Sequence, residues 1–329
     1  MESNILSIKY SKVMKQFIGK LVAFLAVVLV LSVALDVMIT KGLHRHTDYT
    51  TEVWNDLRDA SFNHDVIVLG SCQAMHDINP YGLDSMLDCD SYVLAMSNLT
   101  FPCHDFMWRM YMHYHENMPK MILLVLDYGD MSFREIPTSQ ENKQFLPLTD
   151  VALAREFLTS YGGYNKMEIY TPLYRYYGYH QMIKDGMRSW IKPKKGNHSH
   201  QKGFIPLDRG YSFNKADYGT ANIVPIEDAI VAMLDSFLAE CKNLGIEVVM
   251  VVPPLGDELA DLIANSDDIY AVYKEKAEKY SCPIWIYPKG EYTADTSSFE
   301  TPMHLNAQGT YSYTVELAKW IQSLNVFVK

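Results

Sequence analysis

Asp65-Val66-Ile67-Val68-Leu69-Gly70-Ser71-Cys72 is the stretch on which the fold of this chain turns. Its apolar residues are continuous rather than alternating, the pattern of a strand buried on both faces, and the run stops at Gly-Ser, a turn signal. A strand ending there presents the Ser71 hydroxyl at its C-terminal edge. Outward from it the chain alternates. The pattern predicts strand 65–69, a turn at Asn79-Pro80, helix 81–87, strand 91–96, helix 104–117 and strand 121–126. Further on it predicts a helix from Ile226 to Asn243, a strand over 246–252 stopped by Pro253-Pro254, helix 267–280 and strand 283–287. Strands alternating with helices imply a parallel sheet joined by right-handed crossovers.

A second stretch, Met303-His304-Leu305-Asn306-Ala307-Gln308-Gly309, places a lone histidine just before an amphipathic helix from Thr310 to Leu324. A serine at a strand's C-terminal edge and a late histidine on a loop can meet across the crevice of an open α/β sheet. There the imidazole could take the hydroxyl proton and make Ser71 a nucleophile. Each half alone is a common feature of proteins, and only their order and settings make the pair informative.

Gly70-Ser71 after a strand, Asn98 after the next strand, and His304-Leu305-Asn306 before a last helix resemble the SGNH/GDSL hydrolase superfamily. The likeness is to its membrane-anchored bacterial branch, which includes proteins of polysaccharide O-acetylation and teichoic-acid D-alanylation. It covers roughly residues 64–130 and 245–325. The resemblance implies a flavodoxin-like three-layer α/β/α sandwich with a parallel sheet. It implies catalysis by Ser71 as nucleophile and His304 as base, and an oxyanion hole drawn from Ser71, Asn98 and Gly129. The residues themselves point to no cofactor and no metal. Two positions depart from the family pattern. Asp127-Tyr128-Gly129-Asp130 stands where the family often has Gly-x-Asn-Asp, so Gly129 replaces an asparagine and Asp130 reads as structural. Thr301 stands where the family has an aspartate three residues before the histidine. Glu300 or Asp295 could orient His304 instead, or the site could be a Ser–His dyad, the reading that leads. Cys72 competes with Ser71 as nucleophile, although a small residue packed under the turn is the plainer reading. His76 and Asp77 read as residues that hold the turn, His76 with a secondary reading as pocket lining.

The 329-residue chain carries a formal net charge of -10, and no basic patch offsets it, which argues against a nucleic-acid partner. Lys192-Pro193-Lys194-Lys195 reads as a solvated loop. Residues 21–40 are apolar apart from Asp36 and are long enough, at about 30 Å, to cross a bilayer core. Lys9, Lys12, Lys15 and Lys20 precede them, so the positive-inside rule predicts a cytoplasmic segment 1–20 and an exported remainder. The alternative is a cleaved signal peptide ending near Ser32-Val33-Ala34. Residues 41–62 read as a juxtamembrane stalk and 63–329 as the α/β domain. The five cysteines show neither metal spacing nor a disulfide framework.

Between about 131 and 225 the alternation breaks into an insertion rich in tyrosine, with His198 and His200 in a polar stretch that lacks the partners of a metal site. It reads either as a small helical layer or as a lid stacking its tyrosines on sugar rings. The expected function is that of a membrane-anchored, extracytoplasmic serine esterase or O-acyltransferase acting on ester groups of cell-envelope or secreted glycans. Its expected partners are that substrate and, for transfer, a multi-spanning membrane acyltransferase. The competing reading is a catalytically degenerate glycan-binding or scaffold protein of a polysaccharide-modification complex.

Overall fold

In the computed structural model, which describes residues 2–46, 49–132, 142–192, 201–214 and 222–326, the apolar N-terminal run forms one helix, α1 (Glu2–Leu43). Its segment Val13–Leu43, whose most apolar 18-residue stretch has a mean hydropathy of 2.8, is long and apolar enough to span a membrane. Helix α2 (Tyr49–Arg58) follows, then β1 (Val66–Gly70), α3 (Cys72–Asp77), α4 (Pro80–Leu87), β2 (Ser91–Ala95), α5 (Phe101–Tyr114) and β3 (Met121–Val125). Local chemistry sets these ends. The Asn79 side chain accepts from the Tyr81 N–H, and Pro80, which has no N–H to lose, opens α4. Pro102 plays the same part in the first turn of α5, which starts three residues before the apolar spacing predicts.

The segment 142–192 holds 3₁₀ turns at Lys143–Leu148 and Tyr174–Tyr176 and the helices α6 (Ala152–Ser160), α7 (Lys166–Tyr170) and α8 (His180–Arg188). Then come α9 (Asp228–Asn243), β4 (Glu247–Val252), α10 (Asp257–Ala260), α11 (Ser266–Tyr280), β5 (Ile284–Ile286) and α12 (Glu291–Ala294). The chain ends in a hairpin, β6 (Phe299–Thr301) and β7 (His304–Leu305), followed by α13 (Ala307–Leu324). His304 therefore sits on a short antiparallel strand rather than on a loop.

The described residues fall into two compact units. In the larger, five strands pair in parallel in the order β2-β1-β3-β4-β5, as the alternation predicts. Val66, Val68, Val93, Leu123 and Val249 pack with Ala74, Leu83, Leu317 and Ile321 of α3, α4 and α13 into one buried cluster. The order reverses beside β1, whose C-terminal end is where open α/β sheets receive ligands. Gly70 is required there by space: a Cβ would lie 2.8 Å from that of Ala74 and 2.9 Å from that of Val125. Gly309 is likewise obligatory, because a Cβ would meet the Ser298 carbonyl oxygen at 2.0 Å.

The stalk expected over 41–62 is not a free-standing segment. Trp54 and Leu57 of α2 are wholly buried, Trp54 meets Phe106 at 6.2 Å, and the His115 ring donates to the Leu57 carbonyl at 2.6 Å. An amphipathic helix with that much aromatic surface is worth more packed than solvated. The insertion also divides. Residues 142–192 form the smaller unit together with α1, whereas 201–214 belong to the α/β unit, where Phe204 joins the sheet's core and the Ile205 N–H donates to the Met75 carbonyl. Lys192 is described and exposed; Pro193 to Lys195, His198 and His200 lie outside the described residues.

Candidate active site

The end of β1 and the start of α3 put Ser71 and Cys72 side by side but aim them differently. Ser71, in extended conformation at φ -96°, is the residue before the first turn of α3. Its hydroxyl donates to Oδ2 of Asp127, just past β3, at 3.1 Å. The same carboxylate accepts the Gly129 N–H at 2.6 Å, and the Asp127 N–H donates to Asp130 at 2.7 Å. Asp130 thus braces the turn, the structural role expected of it. The Gly129 N–H, expected in an oxyanion hole, is already spent on this turn. Asn98 follows β2 at the same sheet edge, exposed and in left-handed conformation at φ 59°, which asparagine tolerates well.

His304 is carried to this sheet edge by β7. Among the described residues no hydrogen bond joins it to Ser71. Its imidazole lies close enough to Cys72 and Asp77, the first and last residues of α3, for both to act on its charge. Nδ1 is 3.9 Å from Oδ2 of Asp77, and both atoms are buried without another hydrogen-bond partner. That gap is longer than a hydrogen bond. Resting catalytic sites often show such loose contacts. The other Asp77 oxygen accepts the Leu305 N–H at 2.9 Å, which ties α3 directly to the strand carrying the histidine. Gln73 adds a second tie through its side-chain N–H to the Met303 carbonyl at 3.3 Å.

Neither carboxylate proposed from sequence orients the imidazole. Glu300 accepts the Arg209 N–H at 2.7 Å, and Asp295 caps the 3₁₀ turn over Thr296–Ser298 by accepting from Ser297. Glu300 is adjacent in the extended chain to Thr301, and neighbouring residues of a strand point to opposite sides. The carboxylate beside the imidazole is Asp77, from a distant part of the chain.

Burial alone would push the His304 imidazole down, but Asp77 and Cys72 beside it hold it up at about 10. Burial raises Asp77, against the pull of the imidazole and of the Leu305 N–H. We place the proton the pair shares on the imidazole, which has partners on two sides. His76 goes the other way. Its Nδ1 donates to the Ile205 carbonyl at 2.8 Å, its ring meets that of His304 at 5.1 Å, and burial takes it down to about 4. It is a neutral wall against a charged neighbour. Because the folded pKa of His304 exceeds the usual 6.5, the contribution of this site to stability is complete below pH 6.5. It is lost as pH rises through about 10. Asp77→Asn removes the first of the two partners that raise the imidazole, so its titration midpoint should drop. NMR of histidine-labelled protein, with His304→Gln to assign the signal, reads this directly.

Two features lay beyond sequence reasoning. Which of two adjacent residues faces the histidine has no local signal, and Asp77 carries no family spacing that marks it. The sequence matches no protein-family model and no curated protein.

Proposed function

We propose that this chain is a membrane-tethered acyl-transfer enzyme of the SGNH type in which Cys72, rather than Ser71, is the nucleophile. His304 is its acid–base partner and Asp77 orients the imidazole. The observation that carries this reading is the placement of one imidazole between the Cys72 thiol and the Asp77 carboxylate while the Ser71 hydroxyl is engaged by Asp127. A thiolate beside an imidazolium is an activated nucleophile. The strand order agrees with a flavodoxin-like sandwich, in which the edge beyond β1 and β3 is the reacting edge.

In the ion-pair form, Cys72 Sγ attacks the ester carbonyl carbon and a C–S bond forms. The oxyanion then collapses, the ester C–O bond breaks, and the leaving alkoxide takes the imidazolium proton. In the second half, water or a sugar hydroxyl attacks the thioester, giving its proton to His304. The C–S bond breaks and the ion pair is restored. First-turn N–H groups of α3, which have no partner within the helix, and the Asn98 side chain are the donors assigned to the oxyanion.

Little of the site reaches solvent: Cys72 is 7% exposed and the His304 side chain 16%. That suits a small acyl group. A cleft of about 620 Å³ opens beyond the ends of β4 and β5, lined by Tyr270, Trp285, Tyr287 and Lys289 among others. Its aromatic faces and polar rim suit a glycan. The lysines before α1 favour a cytoplasmic N-terminus and an exported site, and a tether favours transfer beside a membrane acyl donor over free hydrolysis.

Iodoacetamide at limiting concentration, followed by peptide mass mapping, tests the assignment. Cys72 should be alkylated ahead of Cys89, Cys103, Cys241 and Cys282, and His304→Ala should abolish that preference. Labelling of Ser71 by a fluorophosphonate would return the nucleophile to the serine. Labelling of neither residue would make the chain a non-catalytic glycan-binding protein.

A further inference from the structure

The unit built on α1 has a surface that the chemistry above leaves unused. From Phe17 to Leu35 the apolar side chains of α1 are exposed nearly all round, Phe17 at 61% and Val30 at 66%. At 1.5 Å per residue that bare stretch is about 28 Å long, one bilayer core. From Asp36 the exposure becomes one-sided: Asp36, Ile39 and Thr40 are buried while Val37 stays exposed. Arg175 pairs with the Asp36 carboxylate, its Nε donating at 3.0 Å, and the Leu173 N–H donates to the same oxygen at 2.9 Å. Thr40 and Tyr176 share a hydrogen bond of 2.7 Å, and Trp190 Nε1 donates to the Met38 carbonyl at 2.9 Å. Close approach of backbones locks the crossing of α1 and α8: a Cβ on Gly42 would lie 1.9 Å from the Gly186 carbonyl oxygen. The segment 142–192 is therefore a collar clamped on the helix where the uncovered span ends.

The collar's own outer surface is unusual for a solvated one. Tyr177 is 80% exposed, Ile191 82%, Tyr170 59% and Trp190 43%. On α8 and the residues after it, Lys184, Met187, Arg188 and Ile191 are all exposed at helical spacing. Two cations and two large apolar groups thus share one face. Tyrosine and tryptophan collect at membrane–water interfaces, where an apolar ring and a polar tip are both accommodated. Cations on an amphipathic helix favour anionic headgroups.

We propose that the collar 142–192 is a membrane-seated element whose exposed aromatic and apolar rim lies in the bilayer interface next to the outer end of α1. The occupant of this surface is the lipid of the same membrane, because Trp190 of the rim is bonded at Met38, beside the exposed Val37 that follows the bare apolar belt of α1. The proposal rests on the reading of α1 as a membrane span.

The test uses the full chain in liposomes of mixed zwitterionic and anionic lipid carrying nitroxide probes at shallow or deep acyl positions. The Trp190 signal is the difference between the native protein and Trp190→Phe. It should be quenched by roughly half by the shallow probe and less by the deep one, as for a group buried a few ångströms into the interface. A second variant, Tyr177→Trp in the Trp190→Phe background, should behave alike and does not depend on the Trp190 hydrogen bond. A third, Phe24→Trp, reports on the anchor and should respond mainly to the deep probe. Quenching of Phe24→Trp without quenching at positions 190 and 177 would overturn the collar proposal and leave the anchor standing. Loss of quenching at all three would overturn the anchor reading and the collar with it.

Discussion

Cys72→Ala should remove acyl turnover by on the order of 10³-fold or more, whereas Ser71→Ala should leave most of it. In the proposed mechanism the first deletes the atom that forms the covalent bond. The second deletes a hydroxyl that donates to Asp127 at 3.1 Å, a buried hydrogen bond whose loss costs about 1–3 kcal/mol of stability without touching Cys72 or His304. His304→Ala should match Cys72→Ala, and the double variant should be little worse than either, because groups acting as a unit are not additive. Initial rates on a small activated ester, with melting curves to confirm folding, decide it. The reverse pattern, a dead Ser71→Ala and an active Cys72→Ala, would refute the cysteine assignment and imply that Ser71 leaves Asp127 for the histidine when substrate binds.

The second large effect belongs to the other unit. Arg175→Ala should destabilise the packing of 142–192 on α1 by about 3–5 kcal/mol, because it strands the Asp36 carboxylate, which is 5% exposed. Arg175→Lys should recover only part of this, since a lysine cannot reproduce two-pronged contact with a carboxylate. Asp36→Asn combined with Arg175→Met should recover most of it by removing both charges together. Protease susceptibility of residues 142–192 in detergent-solubilised protein, followed against denaturant, reports the change. Equal resistance in native protein and Arg175→Ala would mean that the ion pair contributes nothing to the collar.

Asp36 also shows where sequence reading reached its limit. A single acid near the end of an apolar run reads as a blemish in a membrane span, and nothing nearby names Arg175 as its partner. The tyrosine-rich insertion was legible as a break in the alternation but not as two pieces with different attachments. Phe204 returns to the sheet core while Tyr176 reaches Thr40 of α1. Both attachments are side-chain contacts between segments far apart in the chain. The local elements fared better. Continuous apolar runs at 121–126 and 246–252 became β3 and β4 almost residue for residue, and Asn79-Pro80 opened a helix as its capping chemistry requires.

By itself the sequence determined the parallel α/β sheet, the strand end at Gly70 and the long apolar N-terminal helix. Each of these is encoded locally, in the length of an apolar run, its period and the residue that stops it. The tertiary structure alone decided which residues meet at that strand end. At a strand–helix junction successive side chains diverge, so one step along the chain separates a hydroxyl bound to Asp127 from a thiol beside His304. The Leu305 N–H and the Asp77 carboxylate that fix the histidine's position are 228 residues apart in the chain, joined only once α3 and β7 have packed. No local pattern specifies a contact of that range, because it depends on how every intervening element folds back on the sheet.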